Sequence, residues 1–105
     1  MLKFDAAELS GPVDWSGPTM PPIGTAVAKL RWINSPFHWH RNHGSELFLV
    51  LDGEVEMRVR NGLGAAAETV LLVPGQMLLI EEGEEHVAYP RGEARILVVE
   101  HADSE

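Results

Sequence analysis

The sequence predicts an all-β fold, either a sandwich of two sheets or a closed barrel. Short strand-like runs rich in Val, Leu and Ile recur from residue 25 almost to the end of the chain. No stretch shows a convincing helical period over a useful length. Dipeptides typical of turns separate the runs, namely Asp52-Gly53, Asn61-Gly62 and Pro74-Gly75. Short strands at such regular spacing are typical of all-β domains.

Taken in order, residues 25–33 form the first predicted strand, and Asn34-Ser35-Pro36 ends it. A short strand over about residues 37–40 carries two histidines. Residues 46–52 are expected to pair with residues 54–60 in a hairpin, because Asp52-Gly53 is a hairpin signal. The remaining predicted strands span residues 68–73, 77–80, 86–89 and 94–100.

The apolar pattern of these strands indicates which faces are covered. In residues 54–60, apolar and charged side chains alternate, so one face of this strand meets water. Four other strands are apolar on both faces, at residues 47–51, 70–73, 77–80 and 96–99. One of their faces fills the barrel, and the other must be covered by the N-terminal segment or by a second subunit. We therefore expect a homodimer.

Residues 1–23 differ in composition from the rest of the chain. Four prolines and two glycines in this segment break any periodic pattern, yet several large apolar side chains occur among them. The segment is predicted to be an extended N-terminal arm that lies along the barrel or on a partner subunit. Residues 24–105 are expected to form the barrel domain.

Length and charge exclude several classes of protein. A chain of 105 residues has the size of one domain. Its 16 acidic and 8 basic residues give a formal charge of −8, which repels nucleic acid and anionic membrane surfaces, so neither is an expected partner. The sequence has no cysteine and hence no disulfide, and it contains neither a signal-like apolar region nor a membrane-length apolar run. A cytoplasmic protein is expected.

A cluster of histidines and one glutamate points to metal chemistry. His38 and His40 are two residues apart, so in an extended chain their side chains lie on one face, roughly 6.6 Å apart along the strand. His43 follows, and Glu46 opens the next predicted strand. His86, much later in the chain, can complete a set of imidazole and carboxylate donors of the kind that divalent metals prefer.

These residues resemble the cupins, a family of small jelly-roll barrels, also called double-stranded β-helices. The first cupin motif reads G-x5-H-x-H-x3,4-E-x6-G, and Glu46 and Gly53 match its last two positions. The second reads G-x5-P-x-G-x2-H-x3-N, and Gly75, Gly83 and His86 match its glycines and histidine. The chain departs from the second motif at the proline position, occupied by Glu81, and at the asparagine position, occupied by Pro90.

The first motif aligns in two ways, and both are kept open. Counting back from Glu46 places the histidine pair on His40 and Asn42, whereas the H-x-H spacing places it on His38 and His40. The expected metal ligands are therefore His40, Glu46 and His86, with His38 or His43 as the fourth. Asn42 would be a weak oxygen ligand.

The resemblance implies a small cupin that binds a divalent metal, Fe, Mn, Ni or Zn, and a small organic ligand. Cupins include metal-dependent dioxygenases and isomerases, and also noncatalytic sensors and storage proteins, so both an enzyme and a binding module are kept as hypotheses. No catalytic residue is assigned. Four aromatic side chains are candidates for the wall of a ligand pocket, namely Trp32, Phe37, Trp39 and Phe48.

Overall fold

A computed structural model describes residues 1–11, 13–41, 43–62 and 64–103, and this part of the chain has the predicted all-β fold. A single turn of 3-10 helix, Ala6–Glu8, precedes the strands. No helix among these residues is long and apolar enough to cross a membrane. The strands are β1 (Ala26–Ile33), β2 (His40–Arg41), β3 (Glu46–Asp52), β4 (Val55–Arg60), β5 (Glu68–Leu72), β6 (Met77–Ile80), β7 (Glu85–Pro90) and β8 (Ala94–His101).

The strands form two antiparallel four-stranded sheets that enclose one core, as in a jelly-roll barrel. The first, sheet A, has the order β1-β8-β3-β6, and the second, sheet B, has the order β2-β7-β4-β5. Alternate residues of each strand point inward, most clearly in β8, where every second side chain is buried. The buried core consists of Ile33, Phe48, Val50, Val55, Met57, Leu72, Ile80, Ala88, Ala94, Ile96 and Val98.

The hairpin predicted between residues 46–52 and 54–60 is wrong. β3 pairs with β6 and β8 in sheet A, whereas β4 pairs with β5 and β7 in sheet B. A register shift between Val50 and Asp52 ends the regular pairing of β3, and Gly53 turns the chain with φ 81°. The crossing lets Val50 and Val55, both fully buried, fill the core from opposite sheets, which a flat hairpin does not allow.

Residues 16–23 lie against β1 of the same chain. Isolated bridges join Ser16 to Trp32, Thr19 to Lys29 and Ile23 to Ala26, so this segment extends the edge of sheet A. Arg31 strengthens the contact, because its Nη atoms donate to the carbonyls of residues 17 and 18 and to the hydroxyl of Thr19.

Trp15 has an unusual backbone within the N-terminal segment. Its φ of 60° is the only positive φ of a non-glycine residue in the described part of the chain. Such a conformation costs free energy, which contacts with the surrounding structure must offset. Here the backbone N–H of Trp15 donates to the carbonyl of Trp32, and its indole Nε1 donates to the carbonyl of Ser35. The neighbouring Asp14 accepts hydrogen bonds from Asn34 N and from the Ser35 hydroxyl. The segment is thereby anchored across the start of the β1–β2 loop.

Candidate metal centre

Three of the predicted ligands meet at one end of the barrel, and each comes from a different strand. His40 opens β2 and pairs directly with His86 on β7, so their imidazole rings lie 4.1 Å apart between centroids. Glu46 opens β3 in the opposite sheet, and its inward position follows from the alternation that also buries Phe48 and Val50. The site therefore lies where the inner faces of sheet A and sheet B meet.

The donor atoms of these three residues are close enough to bind one ion. One ligand atom from each of His40, Glu46 and His86 lies within 4.8 Å of the other two. The Nε2 atom of His86 lies 2.5 Å from Oε1 of Glu46. His86 and Glu46 are 2% and 5% exposed, whereas His40 is half-buried. The cluster is thus open to the outside on the side of His40.

Burial prepares both imidazoles to act as neutral donors. Desolvation lowers the pKa of His86 from 6.5 to about 4, and desolvation, with a smaller effect of His86, lowers the pKa of His40. Neutral imidazole is the form that binds metal ions. The Nδ1 atom of His86 is buried and has no hydrogen-bond partner among the described residues. Two imidazoles and one carboxylate are a donor set that suits divalent iron, manganese, nickel or zinc.

The other predicted ligands lie elsewhere. His38 is exposed and precedes β2, which begins only at His40 rather than at about residue 37. Its ring packs on Phe37 at 4.0 Å between centroids, and its carbonyl oxygen is 3.0 Å from Nδ1 of His40. His43 is exposed, with its ring 5.4 Å from that of His101. Within the described residues neither belongs to the three-residue cluster, and Asn42 lies outside them.

A cavity of about 160 Å³ adjoins the cluster. Of the four aromatic residues predicted to line a pocket, Phe37 and Phe48 do so. The other two are engaged elsewhere, since Trp32 Nε1 donates to Glu93 and the guanidinium of Arg60 lies over the ring of Trp39. The residues that line the cavity are Trp15, Lys29, Arg31, Phe37, His40, Glu46, Phe48, His86, Ala88, Val98 and Glu100.

Sequence reasoning missed the charged residues of this cavity. Glu100 is 3% exposed, and its Oε1 accepts a hydrogen bond from Lys29 Nζ at 2.5 Å. Burial and a hydrogen bond with Glu46 raise the pKa of Glu100 to about 7. A signal was present, because Glu100 continues the inward series Ala94, Ile96, Val98 of β8. A carboxylate at an inward position of an otherwise apolar strand indicates a polar site at that end of the barrel.

Trp15 was also missed as a lining residue. It belongs to the proline-rich N-terminal segment, where no periodicity indicates the direction of a side chain. Its ring lies 5.3 Å from that of Phe37 between centroids, so the N-terminal segment supplies part of the cavity wall.

Comparison with solved structures finds the same fold in proteins of low sequence identity. A cupin-2 domain protein from Shewanella frigidimarina is 24% identical and superimposes with a TM-score of 0.73, covering 87% of this chain and 84% of that one. A hydroquinone 1,2-dioxygenase from Sphingomonas sp. TTNP3, solved with 4-hydroxybenzoate bound, is 19% identical with a TM-score of 0.77. This match covers 89% of this chain and 29% of the dioxygenase chain.

A second hydroquinone 1,2-dioxygenase, solved in complex with Fe³⁺, is 15% identical with a TM-score of 0.77, covering 88% of this chain and 29% of that one. Among curated proteins none matches the chain. The family model for the cupin domain, Cupin_2, matches residues 31–100, which include β1 from Arg31 onward and all the other strands as far as Glu100 of β8. The chain therefore belongs to the cupin-domain family, as its two motifs and its double-sheet barrel indicate.

Proposed function

We propose that this cupin binds a divalent metal through His40, Glu46 and His86 and takes a small organic ligand in the adjoining cavity, as a metal-dependent dioxygenase or isomerase. The observation that carries the proposal is the convergence of three donor residues from three strands at the wall of a cavity. A single cation between the three side chains would contact one donor atom of each.

The donor set supports this proposal. Two histidines and one carboxylate with open positions are typical of non-haem ferrous oxygenases. A metal held there would supply oxygen activation or polarisation of a substrate oxygen. The two hydroquinone dioxygenases with the same fold, one of them solved with Fe³⁺, agree with this choice of chemistry.

The residues of this chain would then position the ligand and limit access of water. Phe37, Phe48 and Trp15 form apolar walls next to the donors, and such walls exclude water and strengthen electrostatic interactions within the site. Glu100 contacts Glu46, so it helps to fix the direction in which the Glu46 carboxylate points.

Metal uptake tests the first part of the proposal. The protein is treated with chelator, dialysed, and titrated separately with Fe²⁺, Mn²⁺, Ni²⁺ and Zn²⁺, with bound metal measured by elemental analysis. We expect about one ion per chain, and a loss of affinity of at least about tenfold in His40→Ala, Glu46→Ala and His86→Ala. His101→Ala is the matched control and should bind as the wild type does. If no metal binds stoichiometrically, the proposal fails.

The fourth ligand is tested in the same titration. His38→Ala and His43→Ala are compared with the wild type, because both residues were predicted candidates. Replacing the residue that directly contacts the metal should lower the metal affinity far more than replacing the other residue. If neither changes metal affinity, the protein contributes only the three clustered ligands or uses Asn42. Oxygen consumption with a panel of hydroquinones and small organic acids then tests for a reaction.

A noncatalytic binding module is the second candidate, and the short His86–Glu46 contact favours it. Two ligands of one metal ion lie roughly 3 Å apart, given metal–ligand distances of about 2.1 Å. The observed 2.5 Å is shorter, so a metal must move the two donor atoms apart before it contacts both. In this reading the two side chains remain in direct contact with each other while the cavity binds its ligand. Equal ligand affinity with and without added metal would support it.

We also propose that the chain forms a homodimer through the outer face of sheet A. On β6, Met77 and Leu79 are 65% and 57% exposed, and contiguous exposed apolar surface is typical of association sites. The N-terminal segment covers another part of this face, because Phe4 and Met20 lie beside Leu30 and Leu97. Sedimentation should give twice the mass of one chain, and Leu79→Glu should yield monomers. A wild type that remains monomeric at high concentration contradicts this.

A further inference from the structure

One wall of the cavity carries two cationic side chains. Lys29 and Arg31 lie two residues apart on β1, between Val27 and Ile33, which are 5% and 0% exposed. The alternation of a strand places all four on the inward side, and both cations line the cavity. Only 8 residues of the whole chain are basic, against 16 acidic, so a pair of cations inside the barrel is a local feature rather than a reflection of composition.

Two carboxylates, those of Glu46 and Glu100, line the same cavity as the two cations, but only Lys29 forms an ion pair with one of them. Lys29 pairs with Glu100 at 2.5 Å. Arg31 instead donates to neutral oxygens, the carbonyls of residues 17, 18 and 30 and the hydroxyl of Thr19. Within the described residues no carboxylate oxygen lies within ion-pair distance of Arg31. The charge of Glu100 acts on Arg31 without forming an ion pair, so the half-buried guanidinium, whose hydrogen-bond partners are all neutral, favours the approach of an anion.

The size and walls of the cavity limit what this anion can be. Its volume of about 160 Å³ is close to that of the engineered apolar cavity of about 150 Å³ that binds benzene. Trp15, Phe37 and Phe48 supply flat apolar surface, which suits the face or edge of a ring. A ligand of about one ring, with a single charged group, fills such a space.

We propose that the cavity takes a small organic monocarboxylate of about the size of one aromatic ring. Its carboxylate lies on the side of Lys29 and Arg31, and its ring packs between Trp15, Phe37 and Phe48. The guanidinium provides the donors, because its fork geometry matches a carboxylate better than an ammonium does. This inference rests on the proposed function only in taking this cavity as the ligand site, and it does not require the metal.

The test compares two probes that differ in charge but hardly in shape, benzoate and benzamide. Binding of each to the full chain is measured by titration calorimetry at pH 7.5 in the presence of chelator. We expect benzoate to bind about tenfold or more tighter than benzamide, as a charge-assisted hydrogen bond contributes. Arg31→Gln should bring this ratio close to one while benzamide affinity stays within about twofold. Arg58→Gln, whose guanidinium lies over Tyr89, is the control and should keep the wild-type ratio.

The ratio of benzoate to benzamide affinity distinguishes loss of charge recognition from damage to the fold, because a distorted cavity binds both probes more weakly. If Arg31→Gln loosens the N-terminal segment or does not fold, Arg31→Lys keeps the charge and should retain a several-fold preference for benzoate. Equal binding of the two probes, binding of neither at millimolar concentration, or an unchanged ratio in Arg31→Gln would overturn the inference. A protein that takes up no metal can still prefer benzoate to benzamide, and a protein without this preference can still bind metal. The two proposals can therefore fail independently.

Discussion

Replacing Glu100 by glutamine should change how the stability of the barrel depends on pH. The Glu100 carboxyl is buried next to Glu46 and Lys29, and desolvation raises its pKa from 4.5 to about 7. A group with a raised folded-state pKa binds its proton more tightly in the folded state than in the unfolded chain. Its contribution to stability is therefore fully present below pH 4.5 and is lost as the pH rises through 7. Glutamine has no such proton to lose.

The magnitude follows from the two pKa values. They differ by about 2.5, and one pKa unit corresponds to about 1.4 kcal/mol, so the pH-dependent contribution of Glu100 is about 3 kcal/mol. The pKa of His86, lowered to about 4, acts in the opposite direction, because its contribution is present above pH 6.5 and is lost as the pH falls through 4. Both proteins contain His86, so its effect largely cancels when the wild type is compared with Glu100→Gln.

The measurement is urea unfolding of both proteins at several pH values from 4 to 8, with chelator present. The free energy of unfolding of the wild type, minus that of Glu100→Gln, should fall by about 3 kcal/mol as the pH rises from 4 to 8. Glu68→Gln, at an exposed position of β5, is the control and should follow the wild-type profile. A difference between wild type and Glu100→Gln that stays constant across this range would refute the assignment of Glu100 as a group whose proton is held by burial.

Three further changes test the fold. Gly53→Ala should lower the free energy of unfolding in urea by at least about 1 kcal/mol. The φ of Gly53 is 81°, and a Cβ there would lie 2.4 Å from the carbonyl oxygen of Glu93. Gly62→Ala is the control and should cost less, because a Cβ at Gly62 meets nothing within 4 Å. Phe48→Ala should cost about 3–5 kcal/mol in the same assay, because Phe48 is 3% exposed in the core. Deleting residues 1–23 should remove Trp15 from the cavity wall and weaken benzoate binding, and calorimetry showing unchanged affinity would contradict the role of this segment.

The strands were predictable because each has a local pattern, whereas their partners depend on the whole core. The alternation of Val55 and Met57 predicts β4 from its own residues. Its assignment to sheet B depends on packing against side chains distant in the sequence, such as Ala88 and Leu72, which a local turn signal cannot indicate. The prediction of a hairpin at Asp52-Gly53 failed for this reason.

The candidate site shows the same division. The proximity of His40, Glu46 and His86 was predictable from the sequence, because strand alternation and the register of the motifs indicate inward positions. The choice between His38 and His40 depended on where β2 begins, and the boundary of a two-residue strand is set by its pairing with β7 rather than by its own sequence. Arg31 was missed as a lining residue, since its role depends on a segment more than ten residues away.

The position of β8 has a consequence for the order in which the protein folds. β8 is the last of the described strands, yet it lies between β1 and β3 and is hydrogen-bonded to both. During synthesis, β1 can therefore pair only with the N-terminal segment until residues 94–101 have left the ribosome. Until then the inner face of sheet A is incomplete, and its apolar residues are accessible to chaperones and proteases. Closure of the barrel, the cavity wall at Glu100 and protection from degradation thus arise together, once β8 has been synthesised.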